Sequence, residues 1–443
     1  MPALNTDLYE LTMAAGYFAA GKTRDVATFE LTVRRMPAHR NFLVAAGLQQ
    51  VIDYLINLHF EENEVEYLRS LRQFANAPAE FFDFLRELRF TGDLFAMPEG
   101  TPVFPGEPIL VLRAPLIEAQ LVETYLLSSI AFQTTIASKA ARCVLAAKGR
   151  SVVEFGSRRA HSPEAGPLAG RAAYLAGCTG TSNAEAGLRY GVPVFGTAAH
   201  SWVMSFPDEE TSFRALQKML GQETVYLVDT YDPIEGTRLA IRLGRPIWGI
   251  RLDSGDLAKQ GIAIRKLLDE NGFPDVKIMA TNDLNERRIS ALLEAGAPID
   301  AFGVGTELST SADAPSLSAV YKLVELRSGE AHTYTAKFSE EKSTLPGAKQ
   351  VYRCAGHDLI TLYGDCEPES QGEPLLRPFL VGGVLVEPYP WVGELRRHAA
   401  NAIARLPAPL HSLDHVRPHP VKVSGRLERL AEEVRSSRQV VAL

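Results

Sequence analysis

The chain has 443 residues, of which 46% are hydrophobic and 22% charged, a composition typical of a folded globular protein long enough for two domains. Its formal net charge of −7 argues against a nucleic-acid partner, because such partners usually select a basic protein. No apolar run approaches the roughly 20 residues that cross a bilayer, and no leader pattern opens the chain. The four cysteines, Cys143, Cys178, Cys354 and Cys366, form no C-x-x-C pair. We therefore expect a cytoplasmic protein with no membrane partner, no disulfide framework and no zinc site.

The first part of the chain mixes helices and strands. Apolar residues recur at helical spacing over 48–60 and 79–90. Two short apolar runs flank Pro105-Gly106-Glu107-Pro108, a pattern that predicts a hairpin. A long helical stretch follows over about 117–148. We place the boundary of a predicted N-terminal α/β domain at residue 125, so that this domain spans 1–125.

From residue 151 the pattern becomes regular. Continuously apolar runs alternate with helical stretches, and the later runs start roughly 20 to 30 residues apart, the spacing of βα units whose strands are covered on both faces. This pattern predicts a parallel α/β sheet or barrel over 126–345. The runs are "VVEF" at 152, "VPVFG" at 192, "TVYLVD" at 224, "PIWGIRLD" at 246, "VKIMAT" at 276 and "IDAFGVG" at 299.

Regularity fades after about residue 344. The run "PLLRPFLVGGVLVEPYP" predicts extended structure or a hairpin, and 393–406 and 424–437 predict helices. We expect 346–443 to form a C-terminal segment that packs back on the N-terminal domain. Three histidines spaced every four residues lie in a proline-containing stretch, which favours surface coil over a metal site; they are His411, His415 and His419.

Polar side chains follow six successive strands of the predicted barrel, each at its C-terminal end. In a parallel barrel those ends meet at one rim, where ligands bind. Helix capping is the alternative explanation, and it suits Asp256, Asn285 and Ser309 better than it suits arginine or histidine. The residues are Ser157, Arg158, Arg159, Thr197, His200, Asp229, Thr230, Asp232, Arg251, Asp253, Ser254, Asp256, Thr281, Asn282, Asp283 and Thr306.

The residue types at this rim favour an anionic ligand. Guanidinium groups match phosphate or carboxylate, and "FGVGT" before a predicted helix offers backbone N–H groups to a phosphate. The carboxylates could hold Mg²⁺ or stabilise a developing cation. Ion pairs, helix caps and tight turns remain open as structural alternatives for each residue. The chain contains no G-x-G-x-x-G after a strand, no G-x-x-x-x-G-K-[ST] and no H-E-x-x-H.

Eight motifs in order resemble the nicotinate phosphoribosyltransferase family, from about residue 4 to about 350. They are "TDLYELTMAAGYF", "ATFELTVRRMP", "FLVAAGLQQVIDYL", "EFGSRRA", "GTSNAEAG", "GTAAHSW", "IRLDSGDLA" and "FGVGTELSTS". The resemblance implies a type II phosphoribosyltransferase fold, an irregular TIM-like α/β barrel joined to a smaller α/β domain of N-terminal and C-terminal segments. It implies formation of nicotinate mononucleotide and pyrophosphate from nicotinate and phosphoribosyl pyrophosphate, for NAD biosynthesis or salvage. It further implies coupled ATP hydrolysis, with Mg²⁺.

The resemblance also assigns roles to single residues. His200, in "GTAAHSW", would be the residue that ATP phosphorylates, in keeping with the nucleophilicity of a neutral imidazole. Tyr9 and Phe155 would sandwich the pyridine ring, with Tyr9 coming from a second subunit, which implies a homodimer with shared active sites. A plain core position is the alternative for Phe155.

The remaining implied contacts concern the anionic groups. Arg158, Thr197 and Arg251 would contact nicotinate or the phosphoribosyl group, with Arg251 the best candidate for the carboxylate. Asp253 would lie near the ribose and Mg²⁺. We name His200, Arg251 and Asp253 as the catalytic set. The residues expected to cradle the 5′-phosphate are Gly303, Gly305 and Thr306.

Three rival functions remain. Nicotinamide-using relatives of the same fold carry aspartate at the place of Ser182, where a second carboxylate would repel nicotinate, so Ser182 favours nicotinate. Quinolinate phosphoribosyltransferase is a poorer match, because it is a shorter chain without a phosphorylated histidine. A non-catalytic binding protein on this fold is disfavoured, since His200, Arg251 and Asp253 are all present.

Overall fold

The computed structural model describes residues 3–338, 343–365 and 372–440. Helices surround short strands in the first part, and the helix expected over 117–148 is divided at Val122. The elements are α1 (Leu8–Ala19), β1 (Val26–Val33), β2 (Leu43–Val44), α2 (Leu48–Ile56), α3 (Glu62–Ser70), α4 (Ala79–Glu87), β3 (Asp93–Ala96), β4 (Pro102–Val103), β5 (Pro108–Pro115), α5 (Leu116–Leu121) and α6 (Glu123–Ala146).

Parallel strands alternate with helices in the middle of the chain, as the spacing predicts. Several helices begin at aspartate or asparagine caps, including Asp232, Asp256 and Asn285. The elements are β6 (Ser151–Glu154), α7 (Ala165–Leu175), β7 (Gly180–Thr181), α8 (Ala184–Tyr190), α9 (His200–Met204), α10 (Glu209–Leu220), β8 (Val225–Leu227), α11 (Pro233–Leu243), β9 (Gly249–Leu252), α12 (Leu257–Glu270), β10 (Lys277–Ala280), α13 (Glu286–Glu294), β11 (Ala301–Val304) and α14 (Thr306–Ser309).

The middle strands form an irregular barrel. Their order is β7-β6-β11-β10-β9-β8, so the last strand pairs with the first, and Val194 adds one parallel bridge to Thr181 beside β7. Among the described strands, Val194 and β8 are not paired with each other, and we call this gap the seam. The predicted strand at 192 is thus reduced to a single bridge. The α/β barrel predicted from the sequence is confirmed.

The last part of the chain is mostly antiparallel strand with two helices. The hairpin expected near 374–390 is present as β17 and β18. The elements are β12 (Ala319–Ser328), β13 (Ala331–Tyr334), β14 (Lys349–Cys354), β15 (His357–Leu362), β16 (Glu373–Pro374), β17 (Arg377–Val381), β18 (Val384–Leu385), α15 (Val392–Ala404), β19 (Val421–Val423) and α16 (Gly425–Val440).

Distant parts of the chain complete the N-terminal sheet. Its order is β13-β12-β1-β5-β3-β17-β18, with every pair antiparallel. Residues 319–334, which the expected boundaries assign to the barrel, therefore belong to this sheet, where β12 pairs with β1 and β13 pairs with β12. The C-terminal segment divides its contacts, since β17 pairs with β3 whereas α15 packs against α7 of the barrel.

The predicted hairpin around Gly106 is wrong in its pairing. Gly106 does form a turn, with a φ of +87°. However, β4 pairs with β2, while β5 pairs with β1 and β3. The proline before the turn and the proline after it carry no N–H, which weakens a ladder at the positions nearest the turn.

Two main cores hold the molecule together, one around the N-terminal sheet and one between the barrel and its helices. Cys143 and Cys178 are buried thiols without a disulfide, whereas Cys366 lies outside the described residues. Within the described part of the chain, no helix combines the length and apolarity needed to span a lipid bilayer.

Two buried carboxyl groups, those of Glu107 and Asp358, join the N-terminal and C-terminal parts of the chain. Asp358 accepts hydrogen bonds from Arg353 at 2.7 Å, and His419 lies 3.2 Å away with its side chain 5% exposed. His419 thus lies in coil as expected, but its side chain is buried and not on the surface. Burial and the neighbouring Asp358 raise the pKa of Glu107 well above its usual value, so Glu107 keeps its proton where an exposed glutamate is ionised.

Glu107→Gln is therefore expected to alter how stability depends on pH. Because the folded pKa of Glu107 is raised, the wild-type free energy of unfolding falls as the pH rises from about 4.5 through the folded pKa. A neutral glutamine removes that fall. In urea unfolding at a series of pH values, the free energy of unfolding of the variant should therefore increase relative to that of the wild type as the pH rises. The pKa of Asp358 is lowered, so Asp358→Asn should instead lose stability at neutral pH. Parallel pH profiles for wild type and Glu107→Gln would contradict the assignment.

Candidate active site

The three residues predicted for catalysis lie together on the seam, at the carboxyl ends of the strands. Arg251 belongs to β9, Asp253 follows it, and His200 opens α9. His200 Nε2 lies 3.6 Å from Asp253 Oδ2, and His200 Nδ1 lies 3.1 Å from Thr230 Oγ1. The side chain of His200 is 39% exposed, so a substrate can reach it from solvent.

Arg251 bridges the seam from inside the barrel. Its Nε donates to Thr281 Oγ1 at 3.1 Å. One terminal nitrogen donates to Thr197 Oγ1 at 2.6 Å and to the carbonyl oxygen of Ala198 at 3.2 Å, and the other donates to Asp253 Oδ1 at 2.8 Å. A guanidinium carries five N–H groups, so most of this one is already engaged. Arg251 holds the segment before His200 as well as offering positive charge.

Asp253 is held in its ionised form. Burial alone would raise its pKa, but the hydrogen bond from Thr281 and the charge and hydrogen bond of Arg251 outweigh burial, with a smaller contribution from His200, so the pKa is lowered. The backbone N–H of Asp253 donates to Asp229 Oδ2 at 2.7 Å, which fixes the loop after β9. The site therefore presents a fixed negative charge beside the imidazole.

Phe155 lies next to this charged cluster. Its ring packs with Met279 and Ala301, and the strand register places Met279 beside Arg251. The guanidinium carbon of Arg251 lies 6.0 Å from the ring centroid. A Cβ added to Gly303 would lie 2.7 Å from the ring, so the ring requires glycine there. Phe155 is only half-buried, which leaves ring surface for a ligand.

The other predicted contacts lie at the same end of the barrel. Ser182 is exposed after β7, Gly305 precedes α14, and Thr306 opens that helix. Arg158 is exposed, and its guanidinium makes no hydrogen bond or ion pair with any described residue. Arg158 is therefore freer than Arg251 to meet an anion. The ligand contacts of these residues stay predictions.

Tyr9 is not among the side chains gathered at the seam. It lies on α1, whose contacts include α4 and α5 of the N-terminal domain, and it is 46% exposed. Partial burial and the nearby carboxylates, chiefly Glu123 and then Glu10, raise the pKa of Tyr9. Leu8 and Met13 are exposed on the same helix. This helix therefore offers an apolar surface with a tyrosine at its centre.

Sequence reasoning missed the supporting residues. From the sequence, Thr281, Asp229 and Thr230 are predicted only to be polar residues after strands, and no role follows for Thr281 or Thr230. In the structure Thr281 contacts both Arg251 and Asp253, while Thr230 contacts the imidazole of His200. Their position directly after buried strands was the available signal, but it did not show which side chains would meet.

The carboxylates at the rim fit Mg²⁺ only in part. The described ranges contain no group of three or more histidine, cysteine, aspartate or glutamate side chains that could hold a metal ion. Asp253 Oδ1 is occupied by Arg251 and Thr281, whereas Asp229 Oδ1 is buried with no hydrogen-bond partner in the described chain. Mg²⁺ is often held by one or two carboxylates together with substrate phosphates and water. The donor set suits that kind of site.

Comparison with protein families matches two models. Residues 4–131 match the nicotinate phosphoribosyltransferase (NAPRTase) N-terminal domain, and residues 150–337 match the nicotinate phosphoribosyltransferase (NAPRTase) family. The chain is 45% identical to the nicotinate phosphoribosyltransferase pncB2 of Mycobacterium tuberculosis, with 96% of this chain and 92% of the other covered. It is 43% identical to the nicotinate phosphoribosyltransferase of Bacillus subtilis, with 82% and 76% covered.

Solved structures give the same result. The human nicotinic acid phosphoribosyltransferase superposes with a TM-score of 0.83 at 30% identity. The superposition covers 97% of this chain and 100% of the human chain. A nicotinate-nucleotide pyrophosphorylase from Pyrococcus furiosus superposes with a TM-score of 0.75 at 25% identity, with 91% and 95% covered. With both family models, these relatives and this barrel in agreement, the chain belongs to the nicotinate phosphoribosyltransferase family.

Proposed function

We propose that the chain converts nicotinate and phosphoribosyl pyrophosphate to nicotinate mononucleotide and pyrophosphate, and couples this transfer to ATP hydrolysis. The γ-phosphoryl group of ATP passes to an imidazole nitrogen of His200 with ADP as the leaving group, and water later releases it as phosphate. The observation that carries the proposal is the cluster at the seam, where an accessible imidazole lies 3.6 Å from an ionised Asp253 that is paired with a buried Arg251. The half-buried ring of Phe155 lies beside it. This role is in NAD biosynthesis or salvage.

The transfer is a displacement at the anomeric carbon of the ribose. The pyridine nitrogen of nicotinate forms the new bond, the bond to pyrophosphate breaks, and its electron pair leaves with pyrophosphate. Asp253 stabilises the positive charge that develops on the ribose. Arg158 binds anionic groups of the substrates. The backbone of Gly303, Gly305 and Thr306 binds the 5′-phosphate.

The acceptor pocket favours nicotinate over nicotinamide. Phe155 supplies one face for the pyridine ring by offset stacking. Ser182 adds no negative charge, so a carboxylate can approach it. Arg251 and Thr197 lie at the seam beside this ring and complete the pocket for the acceptor or the phosphoribosyl group.

Mg²⁺ would be held here together with the phosphates of the substrates. Asp253 and the unpartnered oxygen of Asp229 are the residues that would contribute to it, and the ion would neutralise charge on pyrophosphate as that group leaves.

His200→Ala is expected to abolish ATP coupling. With γ-labelled ATP, the wild type should carry an acid-labile, base-stable label that the variant lacks. In assays of nucleotide formation, ATP should stimulate the wild type with nicotinate and leave the variant unchanged. His59→Ala, at an exposed histidine of the N-terminal domain, serves as the control and should label as the wild type does. Equal labelling of His200→Ala and the wild type would contradict the phosphorylation of His200. A wild type that prefers nicotinamide would contradict the assignment of nicotinate as the acceptor.

The active site is completed by a second copy of the chain. Tyr9, on the exposed apolar face of α1, reaches the pyridine pocket of a partner subunit and faces Phe155 there. A two-fold symmetric dimer then contains two such sites.

Mixing Tyr9→Ala and His200→Ala chains tests this arrangement. Each variant alone should be impaired, and subunit exchange should restore activity, because one site in the mixed dimer holds both intact residues. That species should reach at most about half of the wild-type activity. Failure to recover activity, with subunit exchange verified by differently tagged chains, would place Tyr9 outside the shared site.

A further inference from the structure

Glu154 is a buried acid with no cationic partner. It ends β6, is 0% exposed, and forms no ion pair with any described residue. The strand register places it beside Val304 on one side and Thr181 on the other, on the face that packs against the barrel helices. The other neighbouring positions on that face, Val152, Phe302 and Val304, are apolar. Burying a carboxylate in such apolar surroundings costs free energy unless the carboxylate is hydrogen-bonded.

The carboxylate belongs to a chain of hydrogen bonds that the peptide bond between Gly156 and Ser157 closes into a ring. Glu154 Oε1 accepts from the backbone N–H of Gly156, and Glu154 Oε2 accepts from Thr181 Oγ1 at 2.5 Å. Thr181 Oγ1 in turn accepts from the backbone N–H of Asn183 at 3.0 Å. Asn183 Nδ2 donates to Ser157 Oγ at 3.1 Å, and Ser157 follows Gly156 in the chain. We call these five residues the Glu154 ring.

The Glu154 ring ties together two loops that carry acceptor-site residues. Phe155 lies between Glu154 and Gly156 in the first loop, and Ser182 lies between Thr181 and Asn183 in the second. Each therefore sits between two members of the ring, which fixes the backbone on both sides of it.

A third loop is linked to the ring through Gly156. Ser309 Oγ donates to the carbonyl oxygen of Gly156 at 3.1 Å. A Cβ added to Gly156 would lie 2.2 Å from that same hydroxyl oxygen, so the contact requires glycine. Ser309 ends α14, the helix that Thr306 opens. The ring thus also sets the distance between the acceptor loops and the expected phosphate loop.

We infer that Glu154 is a positioning residue for the proposed reaction, which holds Phe155 and Ser182 at a fixed separation and so determines the choice of nicotinate over nicotinamide. The inference rests on the proposed function. Glu154 itself touches no reacting atom. An apolar side chain would fill the same space with less desolvation, but it would leave the N–H of Gly156 and the O–H of Thr181 without the acceptor that Glu154 provides.

Thr181→Val tests the ring with little change of shape. It removes the hydroxyl that joins Glu154 to Asn183. The KM for nicotinate should rise about 10-fold to 10²-fold, and the preference for nicotinate over nicotinamide should fall by a similar factor, because the loops lose their fixed spacing. The KM for phosphoribosyl pyrophosphate should change less than the KM for nicotinate. Thr181→Ser keeps a hydroxyl and should restore most of the wild-type preference.

Thr237→Val is the matched control. Thr237 is also fully buried, and its hydroxyl donates only to the carbonyl oxygen of Pro233 within α11. This variant should lose stability in urea unfolding while keeping the wild-type KM values and acceptor preference. Glu154→Ala is the second test of the ring, and it should reproduce the effect of Thr181→Val on preference.

The outcomes separate the inference from the function on which it rests. A wild type that transfers phosphoribosyl to neither pyridine overturns the proposed function. An active wild type whose acceptor preference survives in Thr181→Val overturns the positioning role, as does an equal rise in KM for both substrates. If Glu154→Ala fails to fold, Thr181→Val and its serine rescue still decide the result.

Discussion

Asp253→Asn is expected to lower kcat for nucleotide formation by about 10²-fold to 10³-fold, the usual cost of losing one preorganised electrostatic contact. Asparagine can keep the hydrogen bonds that Asp253 Oδ1 accepts from Arg251 and Thr281, so the shape of the site is retained. What is lost is the negative charge beside the developing cation and beside His200. The KM values for both substrates should change much less than kcat.

Asp256→Asn provides the control in the same loop. Asp256 is the N-cap of α12, where its side chain accepts from the backbone N–H of Lys259 at 3.1 Å, and asparagine caps helices equally well. Asp256→Asn should therefore keep the wild-type kcat in steady-state kinetics, while Asp253→Asn shows the whole expected fall in kcat. A kcat for Asp253→Asn within tenfold of the wild type would show that the charge is not required.

Glu99→Gln is expected to lower the free energy of unfolding by about 3–5 kcal/mol, because it leaves Arg171 as a buried charge without a counter-ion. Glu99 is 1% exposed and Arg171 is 0% exposed, and they form two hydrogen bonds at 2.9 and 2.5 Å. Tyr389 also donates to Glu99 at 2.7 Å, and the backbone N–H of Gly47 donates to it as well. The pair therefore joins the N-terminal domain, α7 and the C-terminal segment.

Glu62→Gln is the matched control, since Glu62 pairs with Arg86 on the exposed surface. Exposed pairs contribute about 0–1 kcal/mol, so urea unfolding should show little change. The advantage of the wild type over Glu99→Gln should also depend on pH. Burial opposes ionisation of Glu99, but Arg171 outweighs it and the pKa is lowered, so the stabilisation is present above about pH 4.5 and is lost as the pH falls. Equal losses for the two variants would contradict the account.

The sequence is sufficient to predict the barrel because its βα units are local. Apart from β7, which is only Gly180–Thr181, each strand from 151 to 304 lies in a short apolar run and is followed by its own helix, so spacing reveals most of the repeat. The rim was predictable for a related reason. Residues directly after parallel strands must meet at one end, and Arg251, Asp253 and His200 do so.

Pairings between distant segments were not predictable in this way. Nothing in the pattern of 319–328 indicates that this segment pairs with β1 rather than with the barrel, since an antiparallel strand can meet any exposed edge of suitable length. The partners of Arg251 were hidden for the same reason, because Thr197 and Thr281 lie on opposite sides of it in the sequence. Glu154 lies within the apolar run "VVEF" in the sequence, and only the fold shows the Glu154 ring.

The strands of the N-terminal sheet come from both ends of the chain, so this sheet is completed late although its first strands are synthesised early. Strands β1 and β5 emerge from the ribosome early, but β12, which covers the other edge of β1, follows β5 by roughly 200 residues, or about 10–40 s at usual elongation rates. The whole barrel is translated in that interval. The domain that is made first is therefore the last to be finished, and a nascent chain stopped anywhere before β12 carries an open strand edge.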